Sequence, residues 1–425
     1  MHAKLVPLSL MLAMAMMAGV NAAPMPPEAM APMAMPAISV SLNHFNHLYA
    51  DLDIDGKQMG LVHIYSKYPG YTFAIEPREG YACVDDVSRA IVMLAHEWRQ
   101  HRQPELLRKI RRLTEFVLHL QNKNGYFNNF IWGDLSINVD YQTSVAELNW
   151  WSLRALLSLE EAYPLLEDDQ ALAGRIRDAA ERLVHNLERD LPKLPNKTSV
   201  EAGVTVPAWL PAGSGADQAA ETILALLPYY RRTGNPAARR MIESLADGVL
   251  LMQKGDAKTY PYGMFLSWRN HWHAWGNDQA YALLMAGDSL GRKDYVASAL
   301  REVDNFYPYL LRVGLAESIQ IRGEGATYIE VARRRYPQIA YGVRPMIFAA
   351  VKAYALTKNE KYRTLATELG AWLLGRNDAG KPIYDAHTGI VFDGIVGKAE
   401  LNRNSGAEST IEALLALQAL RDGIR

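Results

Sequence analysis

Cysteine is nearly absent. Cys83 is the one cysteine in 425 residues, so no internal disulfide can staple the chain, and its stability must come from a large hydrophobic core. An excess of charge of either sign is also missing. The 45 Lys and Arg residues stand against 46 Asp and Glu, a formal net charge of −1, which leaves no basic face for nucleic acid or anionic membranes. No glycine-rich phosphate loop opens a helix after a strand, and no Gly-x-Ser-x-Gly elbow occurs, which disfavours nucleotide and serine-esterase chemistry. The apolar run at 5–20 has 16 residues, short of the ~20 that span a bilayer.

That run follows Lys4 and ends in Val20-Asn21-Ala22-Ala23. Positive charge, apolar stretch and small residues in that order are the marks of a cleaved export signal. Residues 1–23 are therefore expected to be a signal peptide, and the mature protein to be periplasmic or secreted. No cysteine follows closely enough for a lipoprotein. Residues 24–40 are Pro, Met and Ala without helical period, expected to form a flexible leader. Their thioethers are soft copper ligands, but the irregular spacing argues against a site. No metal and no cofactor is expected.

From 41 to 425 two kinds of helix alternate. One kind is apolar nearly all round, as at 278–286, 342–356 and 406–420; the other is amphipathic, as at 104–122, 171–190 and 359–375. Helices of the first kind are buried on all sides, and those of the second bury one stripe. Inner helices are expected to start near Val84, Thr143, Ala216, Asn277, Gly342 and Gly406, and outer ones near Pro104, Asp169, Asn235, Lys293 and Asn359. The inner starts recur at roughly 60–73 residues, longer than the repeat of an open helical solenoid. The pattern predicts one all-α domain at 41–425, an (α/α)6 toroid. Residues 41–52 are expected to close the ring as the sixth outer element.

Long polar and aromatic insertions precede the inner helices. The N-terminal ends of those helices carry free N–H groups and partial positive charge, and in a toroid they converge on one mouth. Standing at them are Asp85 and Asp86, Glu147, Asp217 and Glu221, Asn277 and Asp278, Arg344, and Asn404 and Glu408. Any one aspartate there can be a helix cap. Several carboxylates in one mouth shift one another's pKa values and can divide acid and base work. The loops add rings: Tyr126, Phe127, Phe130, Trp132 and Tyr141 in 125–141, and Tyr260, Tyr262, Trp268, His271, Trp272, His273 and Trp275 in 260–278. Rings interleaved with Asn, Asp, His and Arg suit sugars, whose apolar faces stack while their hydroxyls take hydrogen bonds. Trp132, Tyr141, Glu147, Trp268, His271, His273, Trp275, Asp278, Arg344 and Asn404 are the expected substrate contacts. Cys83 reads as a small buried hydrophobe rather than a nucleophile.

Three stretches carry a resemblance: GYACVDDVSRAI at 80–91, NGYFNNFI at 124–131, and WLLGRNDAGKPIYDAHTGIVFDGI with LNRNSGAESTIEALLALQAL across 372–420. They resemble the six-hairpin glycosidase-like domains, including those appended to some bacterial glycosyltransferases. The likeness runs in order over 60–425 and is sharp in these three stretches. A fainter likeness links Leu373, Leu374, Gly375 and Asn377 to the Leu-Leu-Gly-x-Asn motif of family 9 glycoside hydrolases. That resemblance implies Asp85 or Asp86 as base and Glu408 as acid, although the Asp-Ala-Gly-Asp pattern of that family is absent here.

The function expected is hydrolysis of a glycosidic bond in an oligo- or polysaccharide, with inversion, by a monomer or weak dimer. A polysaccharide lyase using His273 or a tyrosine as base, with Arg269, Arg322 or Arg344 on a uronic carboxylate, is the alternative; a non-catalytic glycan-binding protein and a sugar epimerase are others. Protein recovered from outside the cytoplasm is expected to begin at Pro24 on N-terminal sequencing; a chain beginning at Met1 there overturns the signal-peptide assignment.

Overall fold

The computed structural model describes residues 38–54 and 56–424. The expected signal peptide and residues 24–37 of the expected leader lie outside them. The last leader residues are fixed in place: Ile38 and Val40 pack on the core, and the Tyr384 hydroxyl donates to Ser39 O (2.9 Å) and accepts from Ser41 N (2.8 Å).

Among the described residues twelve α-helices follow one another: α1 (Asn43–Leu48), α2 (Val84–His101), α3 (Pro104–His119), α4 (Trp150–Ala162), α5 (Gln170–Asp190), α6 (Ala216–Thr233), α7 (Pro236–Met252), α8 (Gln279–Leu290), α9 (Lys293–Val313), α10 (Ala340–Thr357), α11 (Glu360–Gly370) and α12 (Ala407–Gly423). The even-numbered helices form a closed inner ring in which each touches the next and α12 returns to α2. Helices α3, α5, α7, α9 and α11 each pack outside the inner helix that precedes them, and α1 packs on α12. Helix α1 thus closes the outer ring, a shorter element than expected: after Leu48 the chain turns into a strand, Tyr49–Ile54, paired antiparallel with Lys57–Val62. No described helix is long and apolar enough to cross a membrane.

Inner and outer helices differ in their caps. Three outer helices carry side-chain caps, Asp169, Asn235 and Asn359 accepting the first free N–H groups of α5, α7 and α11, and Pro opens α3 and α7. Inner helices α6, α8, α10 and α12 have no side-chain cap at the preceding residue. Loops satisfy N–H groups at several inner helix starts, including that of α2, which also has its Cys83 cap. Asn129 takes Val84 N with its carbonyl (2.7 Å) and Asp85 N with its side chain (3.1 Å). Ser267 O takes Ala216 N (2.8 Å), Ile64 O takes Ala407 N (2.9 Å) and Asp393 Oδ1 takes Gly406 N (2.8 Å). Each cap stitches a loop over one end of the ring. The fourth helix starts at Trp150 rather than near Thr143, because residues 139–149 are spent in turns beside the 130–138 loop.

The strands form small antiparallel sheets in these loops; the largest joins His271–His273, Ser318–Glu324 and Thr327–Arg334. Alternation along the first of these decides one aromatic. Trp272 is 1% exposed and meets Phe306 edge to face with centroids 5.2 Å apart, so it fills core between sheet and α9 rather than meeting a sugar. Trp272→Ala is expected to lower the unfolding free energy by ~3–5 kcal/mol in urea titration; an unchanged midpoint places the ring outside the core.

Candidate active site

Each inner helix places a charged side chain toward the ring axis, about one turn inside the mouth for α2, α4, α6, α10 and α12 and at the helix head for α8. Arg89 of α2 holds Asp86 (Nη1–Oδ1, 3.0 Å), Glu408 (Nη2–Oε2, 3.2 Å) and Glu412 (Nε–Oε1, 3.1 Å). Arg154 of α4 holds Asp85 (Nη1–Oδ1, 2.8 Å), donates to the Tyr341 hydroxyl and approaches Glu221 of α6 (Nε–Oε1, 3.8 Å). Arg344 of α10 grips Asp278, at the head of α8, with both Nη atoms (2.8 and 3.0 Å) and Glu412 of α12 with Nε (2.6 Å). The Tyr341 ring lies 4.8 and 5.4 Å from the guanidinium carbons of Arg89 and Arg154.

Six carboxylates share three guanidiniums, so full ionisation would leave the layer negative. Burial accordingly raises the pKa values of Asp86, Glu221 and Asp278, against the pull of their arginines. Beneath the layer the ring axis holds a cavity of about 130 Å³, walled by Val92, Leu157, Leu224, Met285, Phe348 and Leu415. Arg89, Arg154, Arg344, Glu221 and Glu412 reach its lining; Asp85, Asp86 and Glu408, one turn nearer the helix starts, do not.

The adjacent aspartates do different work. Asp86 is 3% exposed. Its carboxylate accepts the Cys83 thiol (3.3 Å), its N–H donates to Cys83 Sγ (3.4 Å), and Arg89 holds its other oxygen. It closes the first turn of α2. Burial and the two aspartates push the Cys83 thiol well up, so it stays protonated and poorly nucleophilic. Asp85 keeps 22% of its side chain exposed, steered by Arg154. Glu408 is more open, with 43% of its side chain exposed, yet protein walls it on most sides. Desolvation pushes its carboxyl up to about 7, opposed by Arg89 and aided by Asp86 and Glu412. A recess whose tip water still reaches explains both facts. Asp393, half-buried and within the 372–395 stretch though not singled out there, accepts from Gly406 N and Ser409 Oγ (both 2.8 Å) and so sets the start of α12 that carries Glu408.

The aromatic candidates divide. Tyr126, Phe127 and Phe130 are core, and Tyr260 and Tyr262 cluster with Tyr309. Trp275 is 37% exposed, stacks on His273 at 3.6 Å, and stands 6.2 Å from Trp150, whose ring lies under Arg154 (5.1 Å). This pair walls the site beside Asp85. Gly276, at φ 64°, makes room for it: a Cβ there would sit 2.8 Å from the Tyr341 hydroxyl and 3.4 Å from the Trp150 ring. His273 Nε2 faces Asp217 (3.0 Å) and its Nδ1 faces Trp275 O (2.7 Å). His271 is half-buried with a lowered pKa and an unpartnered Nδ1. Trp268 donates to Ala212 O (3.0 Å) and lies under Arg269 (4.1 Å). Trp132 and Tyr141 are half-buried on the 130–141 loop.

Four expected contacts have other duties. Asp278 and Arg344 are buried against each other. Glu147 is exposed outside α4, beside Asn149 (3.2 Å). The Asn404 side chain accepts from Tyr68 N (3.1 Å) and pins a neighbouring hairpin. The guanidiniums expected to meet a uronic carboxylate are likewise engaged: Arg344 as above, Arg322 with Glu324 (2.8 Å), and Arg269 over Trp268. Among the described residues no group of three or more His, Cys, Asp and Glu is placed to hold a metal ion. Arg154, Tyr341, Glu412 and Trp150 escaped sequence reasoning; for Arg154 and Glu412 the signal available was a charged residue one turn inside an otherwise apolar helix.

No protein-family model and no curated protein sequence matches the chain significantly. Solved structures do. A cellobiose 2-epimerase from Bacillus thermoamylovorans superposes with a TM-score of 0.58 at 11% identity, over 84% of this chain and 92% of that one. The chain has the six-hairpin (α/α)6 toroid fold. A D-mannose isomerase shares the toroid with a TM-score of 0.56 at 14% identity, over 85% of this chain and 91% of that one. So does an α-1,6-mannanase from Salegentibacter sp., an inactive variant with two successive aspartates replaced by asparagine, with a TM-score of 0.52 at 10% identity over 90% and 95%. These neighbours are carbohydrate-active, and at such identities the likeness is one of fold.

The raised carboxyls have a thermodynamic consequence. A carboxyl with a raised native pKa holds a proton that the unfolded chain has released, so stability falls as pH rises between the two values. For Glu408 that window runs from its ordinary value of 4.5 to about 7. Melting temperatures of the wild type should fall across it, and those of Glu408→Gln should fall less; parallel curves overturn the placement of this carboxyl.

Proposed function

We propose that the protein is an exported enzyme that hydrolyses a glycosidic bond in an oligo- or polysaccharide, with Glu408 as general acid and Asp85 as the carboxylate that activates water. The observation that carries this reading is the exposed, desolvated Glu408 carboxyl, with a pKa near 7, in the same ring mouth as the partly open, arginine-steered Asp85. A general acid works best when its pKa lies near the operating pH. Glu408 donates its proton to the leaving oxygen as the C1–O bond breaks, and Arg89, already 3.2 Å away, steadies the carboxylate left behind. Asp85 takes a proton from the water that adds to C1 from the opposite face. Both protons are then accounted for, and the sugar leaves with inverted configuration when the two carboxyls stand ~6.5–9.5 Å apart. Trp150 and Trp275 offer ring faces to the sugar beside Asp85.

The carbohydrate-active neighbours support the substrate class. The mannanase variant, inactive with two successive aspartates replaced, supports the weight given to Asp85 and Asp86. The signal-like start at 1–23 supports export toward an extracellular glycan.

A second reading, sugar epimerisation or isomerisation, is favoured by the epimerase and isomerase neighbours and by His273 beside Trp275 in the same mouth. It leaves chain length unchanged. Mature protein assayed on a glycan panel should release reducing ends without ultraviolet-absorbing unsaturated sugars. Glu408→Gln and Asp85→Asn should each lower kcat by ~10²–10⁴-fold, with the product anomer read by NMR. Isomerised product of unchanged length sinks the hydrolase reading, and full activity in both variants sinks the residue roles.

A further inference from the structure

We infer that the axial cavity beneath the ion-pair layer is a second binding site, entered from the end of the ring opposite the mouth, for a small neutral molecule with one aromatic ring and one hydroxyl. The site is independent of the chemistry assigned to the mouth. Inner helices bring side chains to the axis at every turn. One turn below the ion-pair layer stand Val92, Leu157, Leu224, Tyr281, Phe348 and Leu415, one from each inner helix. A turn deeper, His96 of α2, Glu161 of α4 and Met285 of α8 line the same cavity. The lining ends at Arg231, an exposed residue in the last turn of α6. Asp85 and Glu408, at the starts of their helices, take no part in it. The ion pairs are thus the ceiling of this cavity, and its way out lies at the helix ends.

The wall is unfilled. Val92, Leu157, Leu224, Met285 and Phe348 are only half-buried although they stand in the middle of the ring. A close-packed interior leaves such space at a cost, since the lining atoms lack partners on one side. An apolar cavity of ~150 Å³ stays dry and takes up a benzene-sized molecule, and this one holds about 130 Å³. Charge on the guest is excluded by the ceiling, whose ions already hold one another, as Arg344 holds Asp278 and Glu412. An ionic guest would have to break those pairs. One polar group in the belt is left over: among the described residues the Tyr281 hydroxyl has no hydrogen-bond partner. Its ring meets Phe348 edge to face with centroids 5.2 Å apart, an aromatic corner into which a third ring packs. His96, beside the way out, also has no hydrogen-bond partner there. Burial lowers its pKa, so at neutral pH it offers an uncharged ring nitrogen. A buried water needs about two to four polar partners, and the belt offers a single hydroxyl. An aromatic body bearing one hydroxyl suits both the wall and Tyr281.

The test is calorimetric titration of the protein with phenol, benzyl alcohol and toluene, comparing wild type with Tyr281→Phe, Leu157→Phe and Trp275→Ala. Phenol or benzyl alcohol should bind the wild type at one site with a Kd of about 1 mM or below. Tyr281→Phe keeps the ring and removes the hydroxyl; it should weaken binding of that alcohol by about three- to tenfold and leave toluene unaffected. Leu157→Phe should fill the cavity and abolish binding of all three probes, with a melting temperature no lower than that of the wild type. If that variant does not fold, Tyr281→Phe decides. Trp275→Ala, altered at the mouth, should bind the alcohol as the wild type does. No saturable binding of either alcohol by the wild type, equal affinity for it in Tyr281→Phe, or loss of binding in Trp275→Ala with binding kept in Leu157→Phe overturns the axial site.

Discussion

Arg89, Arg154 and Arg344 lash the inner ring together. Each reaches carboxylates on other helices, so that α2, α4, α6, α8, α10 and α12 meet in one layer of ion pairs. Such a layer is a poor source of net stability, since taking ions out of water costs about as much as their attraction returns. Its effect is geometric. Six apolar helices could slide past one another; a bidentate guanidinium between two of them cannot follow such a slide without leaving a buried charge unpaired. The toroid's register, and with it the position of every residue in the mouth, depends on these three side chains.

The same layer sets the electrostatics above it. With twice as many carboxylates as guanidiniums in a poorly solvated ring, some protons are retained at neutral pH. Glu408 is more open to water than Asp85, with 43% of its side chain exposed against 22%. Desolvation there raises its carboxyl to about 7. Its partner Arg89 has two duties, since it also closes the first turn of α2 through Asp86.

Loops complete the site by capping. Four of the six inner helix starts lack a side-chain cap of their own, and loop groups such as Ser267, Ile64 and Asp393 supply acceptors there, as Asn129 does for α2. A backbone hydrogen bond needed by a helix is thus also the hook that holds a loop over the mouth. Residues 64–68, beside the start of α12, stand where they do because their loop is fastened at these points.

Much of the fold was legible in the sequence. Helices apolar all round alternate with amphipathic ones, and the starts at Val84, Ala216, Pro104 and Lys293 fall where periodicity and proline place them. Asp85, Asp86 and Glu408 stand out because each occupies a helix start in a greasy context. The later start of α4 was hidden, because turns and a helix's first residues share the same polar composition. The division between Asp85 and Asp86 was hidden too: neighbours in sequence differ in exposure only once Cys83, Arg89 and Arg154 are in place. Aromatic content marked the loops without distinguishing Trp272, which fills core, from Trp275, which faces the mouth. The sequence by itself determined the helical periods, and hence a ring with acidic starts. Only the tertiary structure decided which charges meet, because partners such as Arg89 and Glu412, more than three hundred residues apart, are chosen by ring closure rather than by any local pattern.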